Sequence, residues 1–315
     1  MIGVGGWAYL PGRHQNKLGV CSKLYDFVEV NSTFYKLPPL ELAMKWRLSV
    51  SDQFEFSVRA NRKLTHERHL EPTEENYSEY RKNIAICDAL RAGVLHFQFP
   101  PSFEVTRNVI TGWRNFFSSV GRKSGVHPAI EVRHNDFAHS PLLHSFFRDF
   151  DIIPVNDPSR NEIDFSSVSG IQYSRVFGRG EHTIWSFSTS ELEELKDKVM
   201  STSSVRKYVT FHNITMYEDA ARMREIVRPG GSEPHLSISA IDSLKEALVA
   251  ERIVYPVTRS ELSARLGWRV LVANETQRVH CDELIDKAQD TQEFDSMPQV
   301  LDICRPLVEQ FLTGQ

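Results

Sequence analysis

Eight apolar runs of strand length recur along roughly the first 230 residues, and segments with helical apolar spacing fill most of the gaps between them. The runs are Ile2–Gly5, Phe27–Asn31, Phe54–Arg59, Val94–Phe99, Ala129–Arg133, Ile152–Asn156, Tyr173–Phe177 and Tyr208–Asn213. The helical segments are Glu75–Leu90, Val105–Val120, Leu142–Phe150, Leu192–Val199 and Ala220–Ile226. Strands that alternate with amphipathic helices require a parallel sheet covered on its outer face. Eight of them predict an α/β fold closed into a (β/α)8 TIM-type barrel.

Most of these runs end in polar residues where a buried strand should stay apolar. A buried ionisable group costs several kcal/mol unless it is paired or used, so a series of such endings marks one polar cavity. In a barrel of this kind the carboxyl ends of the strands carry the active site. Side chains alternate along a strand, so Glu29 and Asn31 share a face, as do Glu131 and Arg133, and Tyr173 and Arg175. If these faces point inward, then Glu29, Arg59, Gln98, Glu131, Arg133, Arg175 and either His212 or Asn213 converge. Two readings follow: ion pairs that fill the barrel, or a ligand site.

Several blocks carry a resemblance. Gly3-Val4-Gly5-Gly6-Trp7, Val28 to Tyr35, Leu64-Thr65-His66, Phe97 to Phe103 and Glu131-Val132-Arg133-His134 occur in the order of the signature blocks of the YecE-like family, also called the domain of unknown function, family 72. The chain resembles that family over residues 1 to about 230. The resemblance implies a TIM barrel and no settled reaction. It also implies a set of site positions: Trp7, Glu29, Asn31, Tyr35, His66, Gln98, Glu131, Arg133, His134, Asp157, Tyr173, Arg175 and Asn213. The chain departs from the family pattern twice, with Phe177 where a His is usual and Phe137 where a Trp is usual. A mechanism that needs an imidazole at position 177 is therefore excluded.

Arg59, Arg133 and Arg175 end strands three, five and seven, and planar guanidiniums suit the oxygens of a phosphate or a carboxylate. Trp7, Tyr35, Phe103 and Phe137 fall on loops at the same end and are expected to be exposed, ready to stack a base or a sugar ring, unless they are ordinary packing. Glu29, Glu131, His134, Asp157 and His212 are of the ligand types for a divalent metal, but their spacing is not diagnostic. His66-Glu67-Arg68-His69 adds only a weak metal signal. No nucleophile elbow and no glycine-rich phosphate loop is present; Gly178-Arg179-Gly180 reads either as a phosphate-binding loop or as a plain turn. Acid/base chemistry remains, with Glu29 and Glu131 as bases whose pKa the arginines set, and His66 or His134 as the acid.

The chain has 315 residues and a formal net charge of −4, enough for one barrel at residues 1–230 plus a small module at 235–315. Pro and Gly concentrate between 227 and 234, as in a linker. Beyond it, Ile238–Ala250 reads as a helix, Thr258-Arg259-Ser260-Glu261 as a capping box opening a second helix that Gly267 ends, Trp268–Ala273 as a strand leading through Asn274–Gln277 to Arg278-Val279-His280, and Ser296–Phe311 as a closing helix. This order suggests a winged-helix DNA reader, but 8 Lys+Arg against 13 Asp+Glu favour an acidic protein-contact or buttressing module. Cys21, Cys87, Cys281 and Cys304 are scattered without a C-x-x-C pair and read as reduced, mostly buried thiols. No run of about 18 apolar residues predicts a membrane span, and a first strand at Ile2 leaves no room for a signal peptide, so the expected location is the cytoplasm.

The leading functional expectation is a phosphodiester hydrolase or lesion-binding enzyme acting on nucleic acid at the barrel mouth, in which Arg59, Arg133 and Arg175 hold the phosphate and Glu29 or Glu131 activates water, with or without a divalent metal. The alternative is an isomerase, lyase or hydrolase of a small phosphorylated or carboxylated metabolite. The third is a non-catalytic ligand-binding barrel whose tail module contacts a protein.

Overall fold

The structure is a computed structural model that describes residues 1–315 except 11–15, 122–124, 133–139, 162–167, 181–182, 229–239, 267–269, 273–277, 289–290 and 314–315. Eight parallel strands close into a barrel in sequence order: β1 (Ile2–Val4), β2 (Phe27–Val30), β3 (Glu55–Arg59), β4 (Val94–Gln98), β5 (His127–Glu131), β6 (Ile153–Asn156), β7 (Ile171–Val176) and β8 (Arg206–Phe211), with β8 returning to β1. Among the described residues seven α-helices belong to this unit: α1 (Lys17–Leu24), α2 (Leu40–Leu48), α3 (Glu74–Leu90), α4 (Arg107–Val120), α5 (Pro141–Phe150), α6 (Thr189–Met200) and α7 (Met216–Val227).

Alternation along the strands divides the apolar residues into two layers. Val28, Val30, Phe56, Val58, Leu95, Phe97, Ile130, Val209 and Phe211 belong to the core between sheet and helices. There α4 supplies Ile110, Trp113, Phe116 and Phe117, and α5 supplies Leu143, Phe146 and Phe147. Full burial of each such side chain contributes about 1.5–3 kcal/mol. Phe27, Val94, Ala129, Ile153, Ile171, Tyr173 and Tyr208 form a separate cluster that fills the barrel interior. Phe27 sits edge-on to Tyr208 at 5.1 Å, and a Cβ at Gly3 would lie 2.6 Å from the Phe27 ring, so only glycine lets the ring pass β1.

The five helical segments read from periodicity match α3 to α7, while α1 and α2 went unread. The reason for α2 is physical. It buries Ala43 and Arg47 rather than an apolar stripe, and the Arg47 guanidinium donates to the carbonyls of Phe54 (2.6 Å), Val50 (3.3 Å) and Ser51. Strand β5 begins two residues before the expected Ala129, because Pro128 is accommodated in the sheet opposite Leu95. The strand ends at Glu131; Arg133, His134 and Phe137 are outside the described residues.

A second core follows the barrel. Leu244, Leu248, Leu262, Leu271, Leu284, Phe294, Val300 and Cys304 are among its buried residues. Its elements are α8 (Ala240–Ala250), β9 (Val257–Thr258), α9 (Arg259–Leu266), β10 (Val270–Val272), β11 (Arg278–His280), α10 (Cys281–Lys287), β12 (Glu293–Phe294) and α11 (Met297–Thr313). The strands form two antiparallel pairs, β10 with β11 and β9 with β12. The capping box is present, with the Thr258 hydroxyl accepting from the Glu261 amide at 3.2 Å and the Glu261 carboxylate accepting from the Thr258 amide at 3.1 Å. Gly267, Trp268 and most of the expected linker lie outside the described residues. All four cysteines are free thiols and buried. Among the described residues no helix is long and apolar enough to cross a membrane.

Candidate functional site

The apolar interior ends at the carboxyl side of the strands, where the layer above Tyr173 is ionic. Arg175 of β7 is buried and lies between two carboxylates. Its Nη1 donates to Glu131 Oε2 at 2.6 Å and its Nη2 to Glu29 Oε1 at 3.0 Å. Glu29, wholly enclosed, also accepts from the Tyr173 hydroxyl at 2.7 Å, and that hydroxyl meets Ser57 Oγ at 2.7 Å. His96 of β4 stands under both acids, with Nδ1 3.3 Å from Glu29 and Nε2 3.1 Å from Glu131, outside hydrogen-bonding angles, and its ring stacks on Tyr173 at 5.9 Å.

His212 follows β8 and completes the cluster. Its Nε2 lies 3.2 Å from Arg175 Nε and its Nδ1 3.3 Å from Arg175 Nη2, so ring and guanidinium meet edge to edge. Phe177 stacks on the other side of the imidazole at 5.2 Å, and its ring also carries the Arg175 guanidinium at 5.1 Å. This is what the Phe at position 177 does. A Cβ at Gly5 would collide with His212 Nδ1 and stand 3.0 Å from Asn31 Nδ2, so a residue without a side chain is needed there. Asn31 itself donates to the Gly5 carbonyl at 2.9 Å.

These contacts set the charges. Burial would raise the Glu29 carboxyl, but the Arg175 guanidinium outweighs it and holds it well below the usual carboxylate range. Burial lowers His212, and a proton there would face the Arg175 cation, so its pKa falls well below the ordinary 6.5 and the ring is neutral at neutral pH. Burial likewise would lower Arg175, and the two carboxylates reverse this. Tyr173 is held well above its ordinary value, first by burial and then by the Glu29 charge, and so remains a donor.

Arg59 differs from Arg175. Its Nη2 donates to Gln98 Oε1 and its guanidinium lies over the Phe34 ring, 3.9 Å from the centroid. Among the described residues it has no carboxylate partner within ion-pair distance. Burial and the neighbouring Arg175 push its pKa down to about 10, and Glu29 and Glu131 offset this only in part.

The remaining sequence-derived positions separate. His66 sits on a π-helical turn (Lys63–Glu67) after β3, bonded to Thr65 Oγ1 at 2.9 Å and edge-on to Phe34 at 4.8 Å, so Phe34 stands between it and Arg59. Trp7 and Phe103, expected to be exposed, are packed instead: Trp7 meets Trp46 at 5.1 Å, and Phe103 stacks on Phe99 at 4.8 Å and on His69 at 4.6 Å. Tyr35 is 73 % exposed. Asp157 organises a loop, accepting from the amides of Ser159 at 3.0 Å and Phe177 at 3.2 Å, and burial raises its pKa. Asn213 donates to the Trp185 carbonyl at 2.8 Å and to Asp219 at 2.6 Å; of the two alternatives at the end of β8, His212 is the one in the interior. The carbonyls of Gly178 and Gly180 accept from Arg160 at 2.5 and 2.9 Å, so this turn is anchored by an arginine side chain. Among the described residues no three His, Cys, Asp or Glu side chains are placed to hold a metal ion; between Glu29 and Glu131 the cation is Arg175.

His96, Ser57 and Thr210 were not singled out from the sequence. Each lies two residues before a residue that was, Gln98, Arg59 and His212, and so on the same face of its strand. His96 is flanked by Leu95 and Phe97, which hides it in an apolar run.

Comparison with protein families matches residues 1–236 to the family described as "Protein of unknown function DUF72". The chain belongs to the DUF72 family. Solved DUF72 structures share its barrel. One from Enterococcus faecalis V583 is 18% identical, with a TM-score of 0.57 over 73% of this chain and 96% of that one. One from Thermotoga maritima MSB8 is 19% identical, with a TM-score of 0.57 over 72% of this chain and 98% of that one. At such identity the likeness concerns the fold. No functionally curated protein matches the chain. Within this DUF72 chain Arg175 is paired with Glu29 and Glu131, whereas Arg59 meets Gln98 and the Phe34 ring.

Proposed function

We propose that the barrel mouth binds a small anionic molecule, a phosphate ester or a carboxylate, through Arg59. The observation that carries this reading is the contrast between the two interior guanidiniums. Arg175 is neutralised by two carboxylates, whereas among the described residues Arg59 has Gln98 and an aromatic face but no carboxylate within ion-pair distance. An anion beside Arg59 would relieve both its burial and its repulsion from Arg175. Glu29, enclosed and strongly acidic, is a poor proton acceptor and acts as the counter-ion that fixes Arg175. His212 is neutral, and both of its ring nitrogens face Arg175, so it too is a poor proton acceptor.

The three-arginine clamp expected for a nucleic-acid phosphodiester loses Arg175 to the carboxylates. This favours the small ligand. The test is binding of inorganic phosphate by calorimetry, with a single-stranded oligonucleotide as competitor. The parent is expected to bind phosphate, Arg59→Gln to weaken it about tenfold or more, as for loss of a charge-assisted contact of about 1.5–3 kcal/mol, and the oligonucleotide not to compete. Equal phosphate affinity in parent and variant would sink the reading, and salt-sensitive displacement by the oligonucleotide would redirect it to a polymer.

A further inference from the structure

The surroundings of Arg59 say what kind of anion fits. The chain leaves β2 through a tight 3-10 turn (Ser32–Phe34) that is bound to two strands. The Thr33 hydroxyl lies 2.6 Å from both the Val30 and the Arg59 carbonyls, and the Asn61 amide donates to the Thr33 carbonyl at 2.9 Å. Tyr35 closes the turn, its amide donating to the Ser32 carbonyl at 3.1 Å. Its ring rests edge-on against Phe34 at 5.0 Å, and the face of Phe34 carries the Arg59 guanidinium. The phenol ring therefore stands on the same Phe34 ring that carries the Arg59 guanidinium, and it is 73 % exposed. Of the aromatics expected to surround the mouth, Trp7 and Phe103 are packed away, which leaves Tyr35 as the described one with a free face.

We infer that the ligand carries its anionic group on or near a planar ring, the anion meeting Arg59 and the ring lying on Tyr35. This rests on the anion reading above and narrows it. An exposed phenol face stacks a flat ring irrespective of the ring's hydrogen-bonding pattern, and a rigid mount avoids the entropy of ordering the platform on binding. The chemistry is shared by free aryl or heteroaryl phosphates and by the phosphorylated end of a polymer, and the oligonucleotide competition above separates these sources.

The experiment compares three probes by calorimetry on the full chain: inorganic phosphate, glycerol phosphate and phenyl phosphate. Phenyl phosphate is expected to bind about tenfold more tightly than glycerol phosphate, equivalent to about 1.4 kcal/mol. Tyr35→Ser is expected to bring that ratio close to one, and Tyr35→Phe to keep it, because the ring and not the hydroxyl makes the platform. At an exposed position neither change threatens the fold. No phosphate binding that depends on Arg59 would remove the anion reading itself. Arg59-dependent phosphate binding without a preference for the ring-bearing ester would overturn the inference and leave that reading standing. A preference that survives in Tyr35→Ser would overturn the assignment of the ring to Tyr35.

Discussion

His212 and Arg175 face each other edge to edge, and that contact sets how the site responds to acid. His212 and Glu29 both hold a proton less readily in the folded chain than in the unfolded one, so on acidification the unfolded state gains protons first and stability falls. The His212 part begins as pH drops through its ordinary 6.5, and the Glu29 part begins near its ordinary 4.5 and continues down to its lower folded value. In His212→Asn the fall in urea-unfolding stability between about pH 7 and pH 5.5 should flatten, and a curve as steep as that of the parent would contradict the assignment. Glu29→Gln should destabilise the chain by about 3–5 kcal/mol in the same assay, because it leaves the Arg175 guanidinium half-paired in a closed interior; a loss under about 1 kcal/mol would mean that water reaches the triad. At this scale Glu29, Arg59, Gln98, Glu131 and Arg175 were legible in the sequence, since a polar residue ending an apolar strand announces itself. His96 was not, because its neighbours on both sides are outward-facing apolar residues and only counting back two from Gln98 reveals its face. The Arg175–carboxylate pairing was also illegible, for it joins residues 44 and 146 apart in the chain.

Elements place these residues, and their ends matter more than their middles. Helix α6 opens on a reciprocal capping box, in which Ser188 Oγ accepts from the Glu191 amide at 3.2 Å and the Glu191 carboxylate accepts from the Ser188 amide at 2.8 Å. Ser188→Ala should cost about 0.5–2 kcal/mol, read as a lower urea midpoint with an unchanged slope; an unchanged midpoint would show that packing of Leu192 and Leu195 holds the helix alone. Strands were easier to read than helices here. All eight barrel strands announced themselves by apolar runs, while α1 and α2 escaped because helix periodicity reports an apolar face. Helix α2 instead buries an arginine whose role is to bind carbonyls at its own C-terminal loop. The two-residue displacement of β5 has the same kind of origin. A proline lowers the expectation of a strand, but the adjacent pairing of Leu95 with Pro128 tolerates a residue without a donor.

In the whole molecule, an apolar plug of seven described residues fills the lower barrel and an ionic layer closes the top, and the boundary lies where Tyr173 turns its hydroxyl from the plug to Glu29. The C-terminal residues build a separate core, and the acidic balance read from 235–315 keeps a basic nucleic-acid field away from that part of the chain. What no sequence pattern could disclose is the division of labour between two arginines that look alike in one dimension, one enclosed by carboxylates and one not. That division is the central claim, and an anomalous scatterer locates it directly. Crystals of the full chain soaked in selenate, a tetrahedral dianion like phosphate, should show an anomalous peak in the mouth with oxygens about 2.7–3.0 Å from the Arg59 guanidinium, absent from Arg59→Gln crystals. Selenate found only on the outer surface, or retained in the mouth of the Arg59→Gln variant, would contradict it.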